Sequence, residues 1–115
     1  MKSKVNNYNL GPLELEIMEC VWDRGDSTVL EIHECLGKKR EIAYTTVMTV
    51  MMRLWQKGFL KRIKDGKNYI YSYKRTKDQA IKNTVSQTLE AVIEKFGIQA
   101  VAYFSEEVEK YEKRL

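Results

Sequence analysis

From Gly11 onward, apolar positions recur at helical spacing for more than 40 residues, and then the period changes. Gly11-Pro12 places a proline at the favoured first position of a helix. Leu13, Ile17, Met18, Cys20, Val21 and Trp22 form its apolar side. Glu14, Glu16 and Glu19 occupy the early turns, where the helix dipole favours anions. Arg24-Gly25 ends this element. Asp26, Ser27 and Thr28 supply capping oxygens for a second, short helix over residues 29–36, which Gly37 stops. Lys38-Lys39-Arg40-Glu41 is a polar connection. A third helix is predicted over residues 44–57, ended by Gly58.

Beyond Gly58 two β-prone runs, at 59–64 and 69–73, flank the hairpin signal Asp65-Gly66. The helical period then returns over 77–96, with Ile81, Val85, Leu89, Val92 and Phe96 in one stripe and Ile93 beside it. Gly97 breaks the chain, and an amphipathic stretch covers 100–115. Three short helices followed at once by a hairpin predict a mainly α (α+β) fold, a winged helix-turn-helix over residues 1–76. A helical region over 77–115 follows it. There is no internal repeat and no low-complexity segment.

The third helix carries the chemistry. With Val47 as zero and about 100° per residue, Val50, Met51 and Leu54 fall within about 60° of it, a single core-facing stripe. Thr45, Thr49, Met52 and Gln56 fall within about 40° of the opposite pole, flanked by Arg53 and Met48. β-Branched threonines gain nothing for helix stability. Lying in a duplex major groove would explain them: hydroxyls bond bases or phosphates, and methyls pack on the thymine C5-methyl.

Charge strengthens this reading. The 115 residues carry a formal +4, unevenly spread. Residues 1–36 hold three basic side chains (Lys2, Lys4, Arg24) against seven acidic ones. Residues 53–77 hold nine basic side chains and only Asp65 as an acid, a net +8. Such a block inside an otherwise mildly acidic chain has the footprint expected for a polyanion partner. Lys61, Arg62, Lys64, Lys67 and Lys74 are expected to contact phosphates, while Thr45, Thr49, Met52 and Arg53 supply discrimination.

Other classes fit poorly. No run approaches the roughly 18 apolar residues of a membrane span. MKSKVNNYNL lacks an apolar signal region, so an intracellular, cytoplasmic protein is expected. Cys20 and Cys35 form no CxxC; a disulfide is open to them but not required, and they are read as two reduced thiols. One histidine, no glycine-rich phosphate loop and no nucleophile–base pair argue against an enzyme, and no cofactor is expected. His33 and Cys35, two apart on a helix, diverge and make no metal chelate. His33 is read as an ordinary surface residue. A winged helix that binds a protein rather than DNA is the alternative. RNA fits less well, since Tyr69, Tyr71 and Tyr73 alternate as strand residues rather than forming a stacking platform.

Several segments together carry a resemblance: Leu13-x-x-x-Ile17-Met18-x-x-Val21-Trp22, then Ala43-Tyr44-Thr45-Thr46-Val47-Met48-Thr49 leading into Arg53-Leu54 and Lys57-Gly58, then Asp65-Gly66-Lys67-x-Tyr69-x-Tyr71. Over residues 10–104 the chain resembles the penicillinase-repressor (BlaI/MecI/CopY) family of transcriptional repressors. That resemblance implies a homodimer on a palindromic operator, often with TACA/TGTA halves. It places Thr45, Thr46, Thr49 and Arg53 at recognition-helix positions that touch DNA, and Lys64 and Lys67 at basic positions of the wing. Thr45 and Met48 depart from relatives with lysine or arginine there. The dimer would form through Ile81, Val85, Leu89, Val92, Phe96 and Phe104. In penicillinase-type relatives a membrane sensor-protease triggers cleavage in the dimerising region; Tyr103-Phe104 is the candidate bond at the matching place, with Val101 and Phe104 as core residues the alternative reading. The C-terminal cysteine cluster of copper-responsive members is missing after Cys35, so no Cu(I) thiolate site is expected.

Overall fold

The computed structural model describes residues 9–115; the basic residues Lys2 and Lys4 and most of the segment read for a signal lie outside them. The element order is α1 (Pro12–Arg24), α2 (Val29–Gly37), α3 (Tyr44–Gln56), β1 (Leu60–Asp65), β2 (Asn68–Tyr73), α4 (Lys77–Phe96) and α5 (Ala100–Glu112). The chain divides into two compact units after Ala80, within the first turn of α4.

Local chemistry starts α1, α2 and α4. Pro12 opens α1, and the Glu14 carboxylate accepts a hydrogen bond from the Gly11 amide at 2.9 Å. Thr28 and Glu31 form a reciprocal capping box at α2: the Glu31 amide donates to Thr28 Oγ1 at 3.2 Å and the Thr28 amide donates to Glu31 Oε1 at 3.0 Å. Thr76 and Gln79 repeat that arrangement at α4. The N-terminus of α3 has no side-chain cap; Ala43 stands there.

The first unit is built around one core. Ile17, Met18 and Val21 of α1, Ile32 and Leu36 of α2, and Val47, Met51 and Leu54 of α3 are fully buried, and Phe59, Leu60 and Tyr71 close it from the hairpin side. Burying a side chain of this size contributes about 1.5–3 kcal/mol each. Lys57 Nζ, just past the end of α3, donates to Glu14 at 2.8 Å and to the Asn9 carbonyl at 2.9 Å, tying that end to the start of α1. Trp22 Nε1 donates to the Arg75 carbonyl at 2.9 Å.

β1 and β2 pair antiparallel from Leu60↔Tyr73 to Asp65↔Asn68. The loop is therefore Gly66-Lys67, one residue later than the Asp65-Gly66 signal suggests. Gly66 has φ +64°, and among the described residues no other residue type has a positive φ, which fits a turn demanding glycine at its first central position. The α1–α2 loop adds a third edge. Ser27 and Tyr71 exchange backbone hydrogen bonds of 2.9 and 2.8 Å.

Two expectations need correction. Cys20 of α1 and Cys35 of α2 are not two free thiols but are joined in a disulfide. The helices bring their Cα atoms to 6.4 Å, within bridging range, a proximity between helices that spacing along the chain does not encode. His33 is half-buried rather than an ordinary surface residue: Nε2 lies 2.8 Å from the Ile42 carbonyl, and its ring meets Tyr44 edge-on at 5.9 Å. The chain folds back after α2, so the connection to α3 covers it.

The second unit contains the rest of α4 and α5, joined at Gly97 with φ +95°. Leu89, Val92 and Phe104 are half-buried, whereas Ile81, Val85 and Phe96 are at least half exposed. No helix among the described residues is long and apolar enough to cross a membrane.

Candidate nucleic-acid interface

The two sides of α3 separate cleanly. Val47, Val50, Met51 and Leu54 are buried. Thr45, Thr46, Thr49, Met52, Arg53 and Gln56 are exposed, as is Met48. The core takes the apolar stripe, so the threonines are left facing solvent on a rigid helix.

Facing this side, across a groove of about 690 Å³, stands the hairpin. Thr49 and Met52 line the groove from α3, with Tyr44 and Met48 beside them; Lys67, Asn68 and Tyr69 line it from the hairpin; Leu30 closes it at the start of α2. The structure thus gathers Thr49, Met52, Arg62 and Lys67 around one concavity. Thr45, Thr46 and Arg53 lie on the exposed helix outside its lining, and Lys64 sits with its Nζ 5.4 Å from the Tyr69 ring centroid.

The basic window proves smaller in use than in count. Lys57 is held by Glu14, and Lys77 by Glu19 at 3.1 Å. The Arg75 guanidinium packs 5.4 Å from the Phe59 centroid. Arg62 is half-buried against Trp55, Tyr69 and Tyr71. Arg53, Lys61, Lys64, Lys67 and Lys74 remain exposed. The acids of α1 therefore neutralise part of the block, because folding lays that acidic helix against the end of α3 and the start of α4.

Sequence reasoning did not assign Tyr44, Leu30, Asn68, Trp55 or Tyr69 to this face. An aromatic at every second position of a strand signals a covered side, but not what covers it. Among the described residues no group of His, Cys, Asp and Glu could hold a metal ion.

Three helices, a hairpin paired at its inner edge to the α1–α2 loop, and an exposed polar third helix define a winged helix-turn-helix. The chain belongs to the penicillinase repressor family, whose profile matches residues 10–114. It is 38% identical over 73 residues to the transcriptional regulator BlaI of Mycobacterium tuberculosis (strain H37Rv), covering 63% of this chain and 53% of that one. It is 27% identical over 94 residues to the methicillin resistance regulatory protein MecI of Staphylococcus aureus (strain N315), covering 82% and 76%. The chain thus spans about half the length of the BlaI relatives it matches. The solution structure of the DNA-binding domain of the repressor BlaI superposes with a TM-score of 0.57 at 24% identity, over 68% of this chain and 93% of that one. That of Bacillus licheniformis BlaI in monomeric form with the blaP half-operator gives 0.53 at 25% identity, over 62% and 87%.

Proposed function

We propose that this chain is a sequence-specific DNA-binding transcriptional repressor, acting in the cytoplasm as a homodimer on a palindromic operator. The exposed face of α3 carries the reading: its threonines, Met52 and Arg53 stand outward while the opposite stripe is locked in the core. Thr45, Thr49, Met52 and Arg53 read base edges, and Thr46 bonds a phosphate at the helix start. Lys64 and Lys67 reach the adjoining backbone from the hairpin. The BlaI relative solved with a half-operator supports DNA as the partner.

One winged helix covers too few base pairs to pick a promoter, so two must be held about one duplex turn apart, roughly 34–36 Å. The exposed apolar residues of α4 and α5 supply the surface for that pairing. Release follows the pattern of penicillinase-type relatives: a membrane sensor-protease leads to cleavage at Tyr103-Phe104. That bond lies inside α5, so cutting it requires the helix to open locally.

Selection from a random duplex library by the purified chain, followed by sequencing, tests the reading. The expected product is an inverted repeat with halves one helical turn apart. Recovery of no enriched sequence would refute specific DNA binding.

A further inference from the structure

Arg62 differs from the other cations of the hairpin. Its guanidinium carbon lies 3.8 Å from the centroid of Trp55 and 3.9 Å from that of Tyr69, and Nη1 donates to the Tyr71 hydroxyl at 3.1 Å. Trp55 belongs to the last turn of α3, while Tyr69 and Tyr71 belong to β2. One cation therefore joins the recognition helix to the wing. Lys61, Lys64 and Lys67 of the same hairpin are exposed, whereas Arg62 is half-buried and lines the groove.

A planar, weakly hydrated guanidinium stacks on ring faces and aims its N–H groups in fixed directions; a lysine ammonium does neither to the same degree. A phosphate ligand needs charge at the surface. Arg62 has instead given its flat faces to two rings and a donor to a hydroxyl.

We infer that Arg62 is a positioning residue that sets the spacing between α3 and the wing, and not one of the phosphate contacts. The inference rests on the proposed use of α3 and hairpin together on one duplex. Thr49 and Lys67 face a common groove, so the width of that groove decides whether both can meet one duplex at once.

The test uses the full chain, Arg62→Lys and Arg62→Gln, with two labelled 30-bp duplexes: one of random sequence, one enriched from a library by the wild-type chain. Hydrogen exchange of the β1–β2 amides is followed without DNA. Both variants are expected to lose about tenfold or more on the enriched duplex, the lysine no less than the glutamine. On the random duplex the salt slope stays at its wild-type value, and hairpin amides exchange faster in both. If Arg62→Lys binds like wild type while Arg62→Gln lowers the slope by about one, Arg62 is a phosphate contact and the inference fails. Should Arg62→Lys not fold, Tyr71→Phe, which deletes only the acceptor hydroxyl, is read in the same two ways. Failure of the wild-type chain to enrich any duplex would overturn the DNA reading itself; enrichment with an unimpaired Arg62→Lys would overturn this inference alone.

Discussion

Thr49 shows what a single side chain can decide. It stands exposed on α3 and lines the groove, so its hydroxyl and methyl contribute little to the fold. Thr49→Ala is expected to weaken binding to the enriched duplex by about 5- to 150-fold, the equivalent of 1–3 kcal/mol, while binding to random duplex stays within about twofold. Fluorescence anisotropy on both duplexes checks this, and equal losses would contradict a base-reading role. Glu14 is the opposite kind of residue. It is buried, bonded to the Gly11 amide and paired with Lys57. Glu14→Ala leaves a half-buried ammonium without its carboxylate, and should cost about 1–3 kcal/mol in urea unfolding with no selective effect on DNA.

Among the elements, the hairpin and the α1–α2 pair make separate claims. Lys67 sits in the turn, exposed, so Lys67→Ala should weaken both duplexes alike and reduce the salt slope by about 0.9. An unchanged slope would place the turn away from the backbone. The disulfide spans 15 positions between α1 and α2, a closure that a chain-entropy account values at about 3 kcal/mol. Reduction with a dithiol should therefore lower the melting temperature by roughly 10–20 °C, and Cys20→Ser should reproduce that shift. Melting unaffected by reduction would show that the bridge does not stabilise the fold. Periodicity made the helices legible, because burial on one side leaves a 3.6-residue imprint on α1 and α3, and α4 carries the same period on a stripe left largely exposed. It also separates the two sides of α3, from Val47, Val50, Met51 and Leu54. What was not legible depends on contacts between elements: the Cys20–Cys35 bridge, His33 against Ile42, and Arg62 on two rings. A count of +8 over 53–77 likewise could not reveal that Glu14 and Glu19 fold onto Lys57 and Lys77.

For the whole molecule, the question is what the second unit does with its uncovered apolar residues. Ile81 and Val85 are about half exposed, and Phe96 two-thirds exposed. Self-association through α4 and α5 would bury them. Val85→Glu with Phe96→Glu is expected to convert a dimer to a monomer in sedimentation equilibrium at micromolar concentration. The same variant should bind a half-site as the parent does and lose the tighter full-site binding. A parent chain that sediments as a monomer would remove the dimer from the proposal.

The backbone bonds between Ser27 and Tyr71 have a mechanical consequence. They pin the ribbon near its root, beside the Arg62 contacts to Trp55 and Tyr69, so only the tip over 64–68 extends past the last fixed point while the root moves with α1 and α2. Amide protection should fall steadily from Tyr71 towards Gly66, and a contact felt at the tip should be relayed into the first helix pair through that pivot.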